Sequence, residues 1–312
     1  MRAVRFAAYG GPEVLEVVEM DPPHPRPGEV RIAVQAAGVN PVDWKFRAGV
    51  MQQMMPLRLP AGSGQDAAGV VDEIGAGVAG VAVGDAVFGS GADTYSEHAL
   101  LSAWTLMPPG LSFQEAAAYP VAVGTALRAL DQVGVAAGQT LLVSGASGGV
   151  GSAVLQIARD RGITVIATAS TGNQDYLRSM GAIATTYGAG LVQRVRSLAP
   201  HGVDAALDLA GSGVIGDLVE LTGVPHKVVS IADFSAPEHG AQILDQPQDQ
   251  TAALALAARL FTEGKLHIPV QQSFPLEHAA DAHATSQSGH ARGRLVITVR
   301  PGLDEPPAQE KS

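Results

Sequence analysis

The chain has 312 residues, enough for two domains of ordinary size. With 46% hydrophobic and 16% charged residues it has the composition of a globular protein and not of a disordered one. A net charge of −10 and a pI near 5.3 argue against nucleic acid or a membrane surface as partner, and zero cysteines exclude disulfides and thiolate metal sites.

The N-terminus, MRAVRFAAYG, has no apolar leader core, and no run approaches the ~18 apolar residues of a membrane span. A soluble, cytoplasmic protein is expected. Residues 1 to about 110 read as β-rich. Val14 to Glu19, Glu29 to Ala37, Ala68 to Ile74 and Tyr95 to Leu101 are the expected strands, separated by proline- and glycine-bearing turns. Short strands without intervening helices suggest a small barrel.

The texture changes at Ser112. Ser112-Phe-Gln-Glu115 has the spacing of a capping box before an alanine-rich helix, and Thr125 to Val133 continues as a second helix. Strands then alternate with helices: strand 140–144, helix 149–161, strand 164–168, helix 173–180. A strand at 182–186, a helix near 189–198, a strand at 203–209, a helix near 213–222 and a strand at 227–231 follow. Alternation on this scale predicts an α/β fold with a doubly wound parallel sheet. Gly181 and Gly264 stand where helices end. After Gly264 come a strand near His267 to Phe274, a helix from about Leu276 and a last strand, Leu295 to Val299. Residues 301–312 read as a flexible tail.

The most informative stretch is Gln139 to Gly151, a buried-type strand running into Gly145-Ala-Ser-Gly-Gly-Val-Gly151 and then into helical periodicity. Glycines let such a turn tighten and let backbone touch a pyrophosphate, and the helix N-terminus supplies N–H groups and a positive dipole end. Strand, glycine turn and helix in that order are the setting of a dinucleotide site. Ala146 stands where the common G-x-G-x-x-G pattern has its second glycine.

Several segments together carry a family resemblance. They are Ala36-Ala-Gly-Val-Asn-Pro-Val-Asp43 with Arg47-Ala-Gly49, Gly64-Gln-Asp-Ala-Ala-Gly-Val-Val71 and Val83-Gly-Asp-Ala-Val-Phe-Gly89. Glu115-Ala-Ala-Ala-Tyr-Pro-Val121 and the glycine turn itself complete the set. Over residues 1 to 299 the chain resembles the medium-chain dehydrogenase/reductase superfamily, in its zinc-independent quinone oxidoreductase (zeta-crystallin-like) branch. The resemblance implies a Rossmann doubly wound parallel sheet plus a GroES-like β-barrel domain. It divides the chain into 1–118 with 265–300 as the substrate domain and 119–264 as the nucleotide-binding domain.

Two departures select the branch. Where zinc alcohol dehydrogenases carry a cysteine and a histidine as catalytic zinc ligands, this chain has Asn40 and Gln65. Amides bind zinc poorly, and the cysteine-bearing lobe of the zinc enzymes is absent, so no metal site is expected. The strand after the glycine helix runs into Ala169-Ser-Thr-Gly-Asn173, with no acid before Asp175. An NAD-preferring domain places a carboxylate there, about 20 residues past the glycines, so NADPH is favoured over NADH. By the resemblance Ser170 contacts the 2′-phosphate and Tyr187 lies near it. Gly172 stands where a basic residue often follows the serine, and Arg178 is a possible substitute.

The resemblance places Asn40 at the nicotinamide, where its amide could donate to the acceptor oxygen. Lys45 stands in place of a tyrosine, either as a proton donor or phosphate contact or simply as an exposed lysine. Asp43 reads as a turn-holding residue. Trp44, Phe46, Met51, Met54 and Met55 line an apolar mouth or pack in the core. Thr125, Ala146, Ser147, Gly148, Gly149, Val150, Ala232 and Phe234 are the remaining expected cofactor contacts, and Tyr119 a further cofactor-facing position. Arg292-Gly-Arg294 nears the cofactor in relatives, or is a surface turn. The expected activity is hydride transfer from NADPH to a quinone or other α,β-unsaturated carbonyl by a homodimer. An enoyl or enone reductase of a biosynthetic pathway, or a non-catalytic NADPH-binding protein, is the alternative.

Overall fold

The βα alternation between residues 140 and 243 builds one parallel sheet. In a computed structural model, which describes residues 1–245, 250–289 and 291–300, its strands are ordered Ile183–Thr186, Thr164–Ala169, Thr140–Ser144, Ala205–Asp208, Val228–Ser230, Gln242–Ile243. Every neighbouring pair is parallel. The chain grows outward from Thr140–Ser144 in one direction and then, from Ala205–Asp208, in the other, which is the 3-2-1-4-5-6 order of a dinucleotide-binding sheet. Helices Gly149–Asp160, Gln174–Ser179, Leu191–Leu198 and Ile215–Thr222 cross between strands. The two central strands are buried almost throughout because helices cover both faces, which explains their continuous apolar sequences. Leu142, Ile166, Val195, Ala206, Leu218 and Val228 share one core there.

The chain divides into two compact units. One comprises the described residues within Met1–Val121, Asp249–Gly264 and Ile268–Ser312; the other comprises those within Ala122–Gln248 and Lys265–His267. The sequence reading drew its nucleotide-binding domain through residue 264. In the structure helix Thr251–Thr262 groups with the first unit and packs on strand His98–Leu106. The expected flexible tail, 301–312, lies outside the described residues.

The first unit is a β structure. Strand Val30–Val39 pairs antiparallel with Asp66–Ile74, which pairs with Ala86–Ala92, which pairs with His98–Leu106. His98–Leu106 returns to Val30–Val39, closing the four into a small barrel. Arg294–Thr298 and Val270–Pro275 extend the sheet from the other side of Val30–Val39. Val30–Val39 alternates buried and half-buried residues at first, then is buried at six consecutive positions. Its second half carries neighbours on both faces. The strand Ala86–Ala92 was not expected, since Gly89 and Gly91 weaken local propensity; pairing on both edges supplies what the local sequence lacks.

Ser112 caps helix Phe113–Ala117 as its sequence predicts: its Oγ accepts from the Glu115 N–H at 3.2 Å, and the Glu115 carboxylate accepts from the Ser112 N–H at 3.3 Å. The helix stops early, and a new one begins at Pro120 and runs to Val133. Proline has no N–H to donate and disfavours helical geometry in the residue before it, so it ends one helix and opens the next.

Candidate active site

The glycine turn forms as its composition predicts. Strand Thr140–Ser144 delivers the chain to Gly145, and helix Gly149–Asp160 starts after Gly148, an extended N-cap with no side-chain cap. The first N–H groups of a helix have no carbonyl of their own, and here no side chain competes for them. Gly151 is required by packing: a Cβ there would stand 2.3 Å from the carbonyl oxygen of Ala146. Ala146, fully buried, donates its N–H to the Thr168 carbonyl at 3.0 Å, tying the turn to the neighbouring strand. Ser147, Gly148 and Val150 are half-buried and Gly149 is buried. Free helix N–H groups behind a glycine turn have the donor geometry that a pyrophosphate requires, so the residues present fit a dinucleotide.

The other expected cofactor residues in this unit follow the carboxyl ends of the same parallel strands, except Thr125, which is 8% exposed within helix Pro120–Val133. Ser170 follows strand Thr164–Ala169 and is exposed; the Asn173 side-chain amide donates to its Oγ at 3.3 Å. Tyr187 follows Ile183–Thr186 and is 55% exposed. The two strand ends are joined by Gln174, whose amide donates to the Ala169 and Thr185 carbonyls.

Arg194, which sequence reasoning passed over, donates to the carbonyls of Thr186, Tyr187, Gly188 and Ala189 and so braces the loop that carries Tyr187. Arg178 pairs with Asp175 at 2.7 Å on the surface. Ala232 is half-buried, with its N–H donated to Ser230 Oγ at 3.1 Å, and Phe234 is 53% exposed.

In the first unit, Asn40 is the N-cap of helix Pro41–Arg47 and is fully buried. Its N–H donates to Asp43 Oδ2 at 2.8 Å, the turn-holding role expected of Asp43. Its side-chain Nδ2 donates to Asp66 Oδ2 at 3.0 Å, while Oδ1 has no protein partner. One amide N–H is therefore committed to a carboxylate, and the other and the carbonyl remain. Asp66 also accepts from the Val121 N–H and from Arg294 Nη2, at 3.1 Å in each case. Arg294 is 4% exposed: the Arg292-Gly-Arg294 segment is not a plain surface turn, because its last residue is a buried ion-pair partner.

Burial pushes the Asp66 carboxyl up to about 6, against the pull of Arg294 and the amide donors. Burial likewise pushes Asp43 up to about 7, although the Asn40 N–H and the Tyr95 hydroxyl favour its charged form. Among the described residues Arg294 pairs with Asp66 alone, while Asp43 accepts from the Asn40 N–H and the Tyr95 hydroxyl.

Lys45 is half-buried with its amine 5.9 Å from the Trp44 ring centroid, and desolvation lowers its pKa. Met54 and Met55 are exposed, 59% and 45%, and so are not core residues. Tyr119 is fully buried, its ring edge-on to Phe88 at 6.2 Å, so within this unit it is a core residue. Sequence reasoning missed Asp66 and Arg294 as partners. Both lie in quoted segments, but 228 residues separate them. Among the described residues no group of three or more His, Cys, Asp or Glu is arranged to hold a metal, and no helix is long and apolar enough to cross a membrane.

Comparison with known proteins agrees with this architecture. Residues 26–124 match the alcohol dehydrogenase GroES-like domain family, and residues 183–297 match the family described as zinc-binding dehydrogenase. A quinone oxidoreductase of Lama guanicoe is 31% identical, over 96% of this chain and 98% of that protein. The pikromycin polyketide synthase component PikAII of Streptomyces venezuelae is 34% identical over 89% of this chain, which spans only 8% of it. A mycobacterial protein solved in complex with NADPH is 27% identical, with TM-score 0.84 over 96% of this chain and 100% of that one. The chain belongs to the medium-chain dehydrogenase/reductase superfamily, in its quinone oxidoreductase branch.

Proposed function

We propose that this chain is an NADPH-dependent, zinc-independent oxidoreductase that passes hydride to a quinone or another α,β-unsaturated carbonyl compound. The observation that carries the reading is the uncapped N-terminus of helix Gly149–Asp160 behind the Gly145–Gly148 turn, at the carboxyl end of the central strand. NADPH is favoured because the segment after strand Thr164–Ala169 presents the hydroxyls of Ser170 and Thr171 and no acid before Asp175. A carboxylate there would repel a 2′-phosphate, whereas hydroxyls donate hydrogen bonds to its oxygens. The mycobacterial relative solved with NADPH supports the same choice.

When bound, the nicotinamide supplies the hydride from its C4. A quinone or enone spreads incoming negative charge through its own π system, so it needs little polarisation. Asn40 offers its remaining amide N–H to the acceptor oxygen, in a site where burial strengthens each hydrogen bond. Asp66 holds that amide in place, and Lys45, half-buried and with a lowered pKa, serves as the proton donor. Zinc has no place in this reading: Asn40 and Gln65 are amides, and the chain has no cysteine. The protein acts in the cytoplasm as a homodimer, with the sheet edge at the half-buried strand Gln242–Ile243 as the pairing surface.

A second reading, an enoyl or enone reductase of a biosynthetic pathway, uses the same residues and draws on the identity to a segment of PikAII. The test is stopped-flow oxidation of NADPH and NADH against quinones, enones and enoyl thioesters. Turnover with quinones supports the first reading, and turnover with thioesters alone supports the second. Tight binding without turnover would instead mark a nucleotide-binding protein without catalysis. Failure of both nucleotides to bind below millimolar sinks the proposal, and stoichiometric zinc by metal analysis sinks its zinc-free part.

A further inference from the structure

Two buried polar side chains at the ends of adjacent strands in the nucleotide-binding unit make a junction that the reading above does not use. Asp208 ends strand Ala205–Asp208, Ser230 ends strand Val228–Ser230, and they stand opposite each other in the parallel register. Both are fully buried. Ser230 Oγ donates to Asp208 Oδ2 at 2.8 Å. Asp208 Oδ1 accepts from the N–H groups of Ala210 and Gly211, both at 3.1 Å. Ser230 Oγ accepts in turn from the N–H groups of Ala232 at 3.1 Å and Asp233 at 2.9 Å. Four loop amides are thereby gathered onto one carboxylate and one hydroxyl.

A buried carboxylate is costly unless hydrogen bonds satisfy it, and this one receives its donors from the loops rather than from an arginine or lysine. An apolar pair of similar size would fill the same space and leave the four amides unheld. The loops are also in contact: Gly211, with φ +65°, lies so close to Ala232 that a Cβ would meet the Ala232 carbonyl oxygen at 3.0 Å. Trans peptide geometry sets each carbonyl opposite the N–H of the following residue. With the N–H groups of 210, 211 and 232 turned inward, the carbonyls of Leu209, Ala210 and Ile231 turn away from the buried pair, while the Ala232 carbonyl lies against Gly211. Both loops leave the carboxyl ends of strands beside the point where the sheet reverses its order, where ligands of such sheets bind.

We propose that Asp208 and Ser230 are positioning residues for the nicotinamide half of the dinucleotide, fixing two loops so that a row of backbone carbonyls meets a donor such as a carboxamide. This rests on the nucleotide-binding reading above. The pair acts through the loop backbone and touches no reacting atom.

Titration calorimetry with NADPH and with 2′,5′-ADP, which lacks the nicotinamide half, tests it. Ser230→Ala should weaken NADPH about tenfold, the effect of one or two lost buried hydrogen bonds, and leave 2′,5′-ADP within about twofold. Ser230→Thr, which keeps the hydroxyl, should restore NADPH affinity. Asp208→Asn should behave like Ser230→Ala. Should the alanine variant fail to fold, Ser230→Cys keeps the volume with a poorer acceptor and reads the same effect. Equal loss of both ligands, or loss of neither, overturns the positioning role. Failure of the wild-type chain to bind either ligand overturns the nucleotide-binding reading instead, so the two failures are distinct.

Discussion

Asn40 and Asp66, both fully buried, are joined by a 3.0 Å hydrogen bond from Asn40 Nδ2 to Asp66 Oδ2, and Arg294 completes the carboxylate's shell. The Asn40 side-chain amide is thus held by a carboxylate. Four expectations follow from the geometry around it and around the glycine turn.

Arg294 is the buried counter-charge of Asp66, so Arg294→Ala should destabilise the protein by roughly 3–5 kcal/mol by leaving a carboxylate unpaired. Asp66→Asn with Arg294→Ala should cost less than the sum of the single changes. Urea denaturation of the double-mutant cycle measures this, and additivity would show that the pair is not coupled.

Asp43 is raised to about 7 by burial, so the folded state binds a proton that the unfolded chain has lost above about pH 4. Its contribution to stability is fully present below its unfolded value and is lost as pH rises through about 7. Asp66, raised to about 6, acts in the same direction. Asp43→Asn removes the first term, so the stability gap between wild type and variant should narrow, or change sign, between pH 5 and pH 8. A gap that widens with pH would contradict a raised Asp43.

Gly148 and Gly151 separate ligand sterics from protein sterics. A Cβ at Gly151 meets the Ala146 carbonyl oxygen at 2.3 Å, whereas one at Gly148 meets nothing within 4 Å. Gly151→Ala should lower thermal stability and NADPH affinity together. Gly148→Ala should stay within about 1 kcal/mol of wild-type stability while weakening NADPH, because backbone approaches phosphate there. Melting curves paired with NADPH titrations decide it.

Ser170 is exposed at the end of its strand and is the hydroxyl best placed in sequence for a 2′-phosphate. Ser170→Asp should weaken NADPH by at least tenfold more than NADH through like-charge repulsion. Equal losses for the two nucleotides would remove Ser170 from that site.

Much of the nucleotide unit was legible because its determinants are local. The strand Thr140–Ser144, the glycine turn and the start of the helix at Gly149 fall where apolar runs, glycines and helical spacing put them. The capping box at Ser112 is equally local, with both partners inside one turn. Strand Ala86–Ala92 was not legible, because its glycines speak against a strand and only pairing on both edges makes one.

By itself, the sequence determined the βα alternation and the glycine turn between strand and helix, since each is a matter of residue type and short spacing. The tertiary structure alone decided that Arg294 is a buried partner of Asp66, that Arg194 braces the Tyr187 loop, and that Asp208 and Ser230 gather four loop amides. Those relations depend on strand order and register, which arise from burying both faces of a sheet at once. No local pattern of side chains records them.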